Sequence, residues 1–237
     1  MMIVDAHTHV GRGIARTEYS QFDASPEWLI NQMDKSGVDK AVIFPVFHPV
    51  FRRGNEEVAE AVRRYPNRFI GFAGVQMNCR KHGLEDVKYG LDVLGLRGVG
   101  ELKPTNLSPN VLLPILGAIE KRGVPANFHT SVRLADYIAK KFPKLIVILA
   151  HMGWNDPHAI TVAKERANLY LDTSTVSLDL IKQAVEKLGA EKILFGSDAP
   201  FIYQYPELKK IEVLPITDAE KRLILSENLM RILEEGG

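Results

Sequence analysis

Residues 125–151 read PANFHTSVRLADYIAKKFPKLIVILAH. Two short apolar runs, 125–128 and 145–150, flank a helix-like segment that Ser131 can cap, and each run is followed at once by a histidine, His129 and His151. The same unit recurs along the chain. Short β-branched or apolar runs stand at 3–5, 41–44, 69–75, 98–102, 125–128, 145–150, 169–172 and 193–195, with helix-like segments between them. Ser25-Pro26, Ser108-Pro109 and Asp156-Pro157 each place a capping side chain before a proline suited to the first helical position, and Ser177 can cap a further helix. Gly37, Gly95, Gly123 and Gly189 stand shortly before the next run, where a helix stops in the left-handed conformation. Strict alternation of short buried strands with helices implies a parallel sheet. Eight such units in about 250 residues make an α/β protein of the closed (β/α)8 type, expected as one domain over residues 1–237. An open doubly wound sheet is the alternative, but no glycine-rich phosphate turn opens a helix. Thr217 and Glu220 form a capping box for an additional C-terminal helix, whose apolar face of Leu225, Leu229, Ile232 and Leu233 is expected to pack on the barrel exterior.

Composition excludes several classes. With 46% hydrophobic and 25% charged residues among 237, the chain reads as an ordinary globular protein. The single cysteine, Cys79, forms no internal disulfide, and Asp5 and His7 interrupt any signal-like N-terminus, so a cytoplasmic location is expected. The longest apolar run, 145–150, falls far below the roughly 20 residues of a membrane-spanning helix. Net charge is +1, with Lys and Arg scattered among acids, which speaks against a nucleic acid partner and for a small-molecule substrate; monomer and homodimer stay open.

In such a barrel chemistry collects at the C-terminal ends of the strands. Strand one ends in Asp5-Ala-His7-Thr-His9, strand four in Glu101-Leu-Lys103, strand five in His129, strand six in His151 and strand eight in Gly196-Ser197-Asp198. His7 and His9, two apart on a strand, offer two imidazoles to one ion, and a third histidine with a carboxylate completes a four-ligand shell. Imidazole with carboxylate suits Zn2+ first, and also Mn2+, Fe2+ or Co2+. A lone histidine ending a buried strand is more often a hydrogen-bonded core residue, and an aspartate after Gly-Ser more often turns the chain. Their joint occurrence at separate strand ends favours a catalytic metal site.

The motifs at 4–10, 128–130, 149–153, 193–200 and 227–233 resemble those of the amidohydrolase-2 family, in order and spacing over essentially the whole chain. This is a branch of the amidohydrolase superfamily that includes small hydrolases and decarboxylases related to aminocarboxymuconate-semialdehyde decarboxylase. The resemblance implies that His7, His9, His129 and Asp198 are metal ligands and that His151 is the active-site histidine. Asp198 would also accept a proton from bound water. Strand four departs from a one-ion pattern: Glu101 is a ligand or bridge if two ions are held, with His151 then a ligand too, or it pairs with Lys103 inside the barrel. Asp5 stands where a glutamate is associated with many decarboxylases, which weighs towards hydrolysis.

The leading expectation is therefore hydrolysis of a C–N or C–O bond in a small, carboxylate-bearing molecule by metal-bound hydroxide, with Asp198 as base and His151 stabilising the oxyanion. The alternatives are a non-oxidative decarboxylase using the same shell with His151 as acid and base, a TatD-like metallo-nuclease suggested by Glu101, and a non-catalytic metabolite-binding barrel. Lys103, Arg16 and Arg52 (or Arg53) are candidate anion clamps, Trp154, Phe201 and Tyr203 candidate pocket walls, and His48 a further candidate site residue. Phe47, Phe51 and Phe201 fit either a pocket wall or a dimer contact.

Overall fold

The computed structural model describes residues 1–12, 23–46, 48, 50–104 and 108–235. Eight parallel strands succeed one another around one sheet: β1 (Val4–Val10), β2 (Lys40–Pro45), β3 (Phe69–Ala73), β4 (Gly98–Leu102), β5 (Ala126–Phe128), β6 (Val147–Leu149), β7 (Leu169–Asp172) and β8 (Ile193–Leu194). The chain after β8 returns to β1. Ala6 N–H donates to the Phe195 carbonyl and His9 N–H to that of Ala199, both at 2.7 Å, and Asp198 N–H donates to that of His7 at 2.8 Å. The sheet is thus the expected (β/α)8 barrel and not an open one.

Helices α1 (Pro26–Ser36), α2 (Phe51–Arg64), α3 (Arg80–Val87), α4 (Pro109–Glu120), α5 (Val132–Lys141), α6 (His158–Glu165) and α7 (Leu178–Leu188) separate successive strands. The Ser25, Ser131 and Ser177 hydroxyls accept from the backbone N–H of Trp28, Leu134 and Leu180, and Gly37 ends α1 at φ 74°. Beyond β8 come α8 (Gln204–Glu212), α9 (Asp218–Arg222) behind the Thr217–Glu220 capping box, a π-helical turn (Leu223–Glu227) and α10 (Asn228–Glu235). No helix among the described residues is long and apolar enough to cross a membrane.

Side chains alternate along the strands into two apolar clusters. Val99, Leu102, Phe128, Val147, Leu149, Leu169 and Leu171 face outward onto the helices. Val4, Ala6, Val42, Phe44, Phe72, Ile148, Tyr170 and Leu194 fill the interior, and Leu229, Ile232 and Leu233 join that second cluster. The last helix therefore closes the N-terminal end of the barrel instead of packing on its exterior. The interior layer at that end is wholly apolar and would otherwise meet water; covering it buries three side chains, each stabilising by about 1.5–3 kcal/mol.

Two register breaks position the polar end. Asp5 pairs with Ala41 and Thr8 with Ile43, so three steps on β1 match two on β2. Ala6 and His7 consequently both face inward, the latter edge-on to Phe44 at 5.0 Å, while Asp5 points outward. On β4 the pairs Val99–Ala126 and Leu102–Phe128 show the same mismatch, which turns Gly100 and Glu101 inward together. A Cβ on Gly100 would lie 2.9 Å from the Phe44 ring, so glycine is what allows the second bulge to fit.

Candidate metal centre

His7, His9, Glu101, His151 and Asp198 converge at the C-terminal mouth. His7 Nε2 lies 3.2 Å from His9 Nε2 and 3.5 Å from Asp198 Oδ1, and His9 Nε2 lies 3.2 Å from that same oxygen. Ligands at about 2.0–2.2 Å from one ion stand roughly 3.0–3.5 Å apart in octahedral or tetrahedral arrangement, so this triad already has the spacing of a first-row divalent site. Glu101 adds Oε1 at 3.6 Å from His7 Nε2 and Oε2 at 4.0 Å from His9 Nε2, and His151 Nε2 lies 3.4 Å from Glu101 Oε1. His7, Glu101 and His151 form a second compact donor group sharing His7 with the first. One imidazole nitrogen carries one lone pair, so His7 can serve only one ion at a time.

The orientation of these donors is fixed from behind. His7 Nδ1–H donates to Asp172 Oδ2 at 2.6 Å, which leaves the Nε2 lone pair facing the triad; carboxylate-backed imidazole is the usual arrangement for a ligating histidine. Asp172 Oδ1 accepts from Ser174 N–H at 2.7 Å and Ser174 Oγ at 2.5 Å, and Asn127 Nδ2 lies 3.3 Å from Oδ2. Ser174 also anchors His151, whose Nδ1 lies 3.1 Å from its carbonyl and 2.9 Å from its hydroxyl, turning Nε2 to the mouth. Asp172 closes β7, and its place at a strand end is the one sign of its role that the sequence carries. Asp5 has a role the sequence does not suggest. Its carboxylate accepts from Ser197 Oγ at 2.6 Å, Ser197 N–H at 3.0 Å and Gln204 Nε2 at 2.7 Å, bracing the turn that carries Asp198.

Electrostatics point to a cation. Burial opposes charge on His7, yet the Asp172, Glu101 and Asp198 carboxylates outweigh it and push its pKa up to about 10. Burial lowers that of His9 despite Asp198 and Glu101. Burial also opposes ionisation of Glu101 and Asp198, but the surrounding histidines hold both below their ordinary values, Glu101 well below. Asp172 behaves likewise, held at about 2 by His7 against its burial. His151 is raised, chiefly by Glu101 working against burial. Asp5, by contrast, is lifted to about 6 by burial among neutral donors.

His129 stands beside this group with both ring nitrogens engaged: Nδ1 lies 2.6 Å from Glu101 Oε1, and Nε2 accepts from the Trp154 indole at 2.9 Å. It belongs to neither compact donor group. Residues 151–155 form a left-handed turn with φ of 54°, 47°, 64°, 67° and 60°. Gly153 adopts it without penalty and Asn155 at little cost; the other three cost about 1–2 kcal/mol each. Strain of this kind gathers where function needs a fixed geometry, and here it aims His151 and Trp154 at the same mouth.

The family model Amidohydro_2, described as amidohydrolase, matches residues 4–234. This chain belongs to the amidohydrolase-2 family. A curated relative, 2-amino-3-carboxymuconate-6-semialdehyde decarboxylase of Dictyostelium discoideum, is 22% identical over 198 residues, 62% of this chain and 55% of that protein, so the match spans only about half of the relative's length. Among solved structures, an uncharacterised TIM-barrel protein from Bordetella bronchiseptica superposes with TM-score 0.85 at 22% identity over 100% of both chains. A dihydroxybenzoic acid decarboxylase from Polaromonas sp. JS666, with bound manganese and the inhibitor 2-nitroresorcinol, gives TM-score 0.76 at 19% identity, covering 98% of this chain and 97% of that one.

Beside the donors of this amidohydrolase-2 barrel lies a cavity of about 380 Å3, within the range of small-ligand sites. Phe51, Phe201, Val75 and Met77 supply apolar walls, while His9, Glu101, Lys103 and His48 supply polar ones. Lys103 is exposed at the rim, its ammonium 3.0 Å from Glu101 Oε2, so the β4 carboxylate is at once an ion-pair partner and a neighbour of the histidines. The Phe201 ring centroid is 5.3 Å from that of His9. Arg52 lines a neighbouring cavity, where its guanidinium lies 4.0 Å from the Tyr89 ring centroid and 3.4 Å from Glu56. Tyr203 is exposed and faces Trp28 at 6.0 Å, and Cys79 precedes α3, half-buried. Arg16 and Phe47 lie outside the described residues.

Proposed function

We propose that this chain is a metal-dependent, non-oxidative decarboxylase of a small aromatic or unsaturated carboxylate. The observation that carries this reading is His151: anchored through Nδ1 on Ser174, it turns Nε2 to within 3.4 Å of Glu101, which lines a small, largely apolar cavity. The decarboxylases among the relatives support it. The weight that Asp5 lent to hydrolysis lapses, since its carboxylate points away to Ser197 and Gln204.

His7, His9 and Asp198 would hold the ion, with Glu101 adjacent; Mn2+ and Zn2+ both suit the donor set. A divalent ion held there would supply positive charge to orient the substrate and to offset negative charge on it. Lys103 pairs with an anionic group of the substrate at the rim, and Phe51 and Phe201 flank its plane. The bond to the carboxyl carbon breaks, its electron pair stays on the remaining carbon, and His151 Nε2–H delivers a proton there as CO2 leaves. No water is consumed. Glu101, 3.4 Å from His151 Nε2, raises the pKa of His151 against its burial and so favours the form that can give up this proton.

Hydrolysis is kept as a second reading because Glu101 reaches four histidines, as a two-ion bridge would, at 2.6, 3.4, 3.6 and 4.0 Å. The test is turnover of a panel of aromatic and unsaturated carboxylates by Mn2+- and Zn2+-loaded protein in 18O-water. Release of CO2 without 18O in the organic product, with kcat lowered about 10²–10⁴-fold in His151→Gln, is expected. An 18O-labelled acid or alcohol without CO2 would overturn the proposal in favour of hydrolysis.

A further inference from the structure

We infer that Phe51 sets the upper size of the substrate by walling the site off from a second cavity, an inference that rests on the carboxylate-binding part of the proposed function. The second cavity, of about 570 Å3, is larger than the one beside the donors and adjoins it. Among the described residues, Phe51 and Gln76 are the two that line both. Beyond them the second cavity is bounded by Val50 and Arg52 at the start of α2, by His82 and Asp86 on α3, and by Tyr89 and Val93 on the π-helical segment Lys88–Val93. None of the metal-centre residues lines it.

Of the two shared residues, Gln76 is turned along its own loop. Its N–H donates to Asp86 Oδ2 at 2.9 Å, and its side-chain Oε1 accepts from the N–H of Asn78 at 3.4 Å. Phe51 is therefore the side chain that closes the partition. Its ring lies against the backbone of Gly74: a Cβ there would stand 3.3 Å from Phe51 Cδ1 and 2.7 Å from Pro45 Cγ, so the ring takes part of the room a side chain at 74 would need. The helix that carries Phe51 is fastened at the same place. Buried Asn55 donates through Nδ2 to the Gly74 carbonyl at 2.9 Å and accepts from the Gly74 N–H at 2.7 Å. The start of α2 cannot swing away without leaving these buried polar groups unpaired. Gly54, in the first turn of the helix, permits the close approach, since a Cβ there would lie 3.0 Å from that of Pro45. A wall fixed in this way rejects a larger substrate by overlap. Phe51 thus flanks a one-ring carboxylate and excludes one that carries a second, rigid ring towards Val50, Tyr89 and Val93.

The experiment compares benzoate with biphenyl-3-carboxylate and biphenyl-4-carboxylate as probes on the Zn2+-loaded full chain, in the parent, Phe51→Ala, Phe51→Val and Gln76→Ala. Calorimetry gives the affinities, and nuclear Overhauser contacts locate the distal ring. The parent is expected to bind benzoate more tightly than either biphenyl acid. In both Phe51 variants the ratio of biphenyl to benzoate affinity is expected to rise roughly 10–100-fold for at least one isomer, while benzoate weakens as it loses its flanking ring. The distal ring should then show contacts to Tyr89 or Val93. Equal affinity for benzoate and a biphenyl acid in the parent, or an unchanged ratio in both Phe51 variants, would overturn the inference. So would an equal rise in Gln76→Ala, or a rise without distal-ring contacts to Tyr89 or Val93. Absence of binding of all three probes in every protein would overturn it together with the carboxylate-binding reading. The expected shift in ratio, without CO2 release from any substrate, would uphold it while the decarboxylase reading fails.

Discussion

Replacing Asp172 by asparagine separates what the carboxylate does for the proton on His7 from what it does for a metal. Every neighbour of Asp172 donates to it: His7 Nδ1 and Asn127 Nδ2 at one oxygen, Ser174 N–H and Oγ at the other. An amide must turn its own N–H2 against one of these pairs. His7 then loses its largest upward influence, and its pKa falls from about 10 towards the ordinary value near 6.5. In the parent protein at pH 8, Glu101 and Asp198 are already ionised and His9 is neutral, so an ion entering the triad displaces one proton, that of His7. Mn2+ affinity should accordingly rise about tenfold per pH unit between 7 and 8.5, as for one proton released per ion. In Asp172→Asn the slope should flatten above about pH 7, and the affinity corrected for that proton should fall by roughly 10–100-fold, because the negative charge and the fixed ring orientation behind His7 are gone. The sign for stability follows the same shift. His7 has a raised folded-state pKa, so in metal-free protein its contribution is complete below pH 6.5 and is lost as pH rises through about 10. Calorimetric Mn2+ titration in two buffers of different ionisation enthalpy measures both affinity and proton release. Equal affinity and equal proton release in the two proteins would refute the argument.

Two further substitutions probe the frame. In Gly196→Ala the new Cβ would lie 2.8 Å from Asp172 Oδ1 and 2.9 Å from His7 Cβ, so Mn2+ affinity should drop by at least about tenfold while the chain stays folded by circular dichroism; unchanged affinity would mean the barrel relaxes at no cost. Ile232→Ala, in the helix that closes the barrel floor, should cost about 2–5 kcal/mol in urea unfolding, whereas a surface-like loss under about 0.5 kcal/mol would contradict the interior placement of that helix.

The alternation of eight apolar runs with capped helices is a local property, repeated in each unit, and it leads to the barrel without any knowledge of contacts. Ser25, Ser131 and Ser177 start helices because a side-chain oxygen beside unpaired N–H groups acts within a single turn. The placement of histidines and Asp198 at strand ends is legible for the same reason, since a parallel barrel gathers all those ends at one mouth. What the linear pattern does not carry is side-chain direction after a register break. The bulge between Asp5 and Thr8 turns Asp5 away from the centre, and the one on β4 brings Glu101 among the histidines; both depend on pairing with a neighbouring strand. Asp172 behind His7, Ser174 behind His151 and the Trp154 indole on His129 join residues from different strand ends, the last across a left-handed turn of mostly non-glycine residues. The C-terminal helix shows the limit most plainly. Its apolar face is readable in the sequence, but whether that face covers the outside or the floor of the barrel is decided only once eight strands close and leave Val4, Val42, Tyr170 and Leu194 in need of cover.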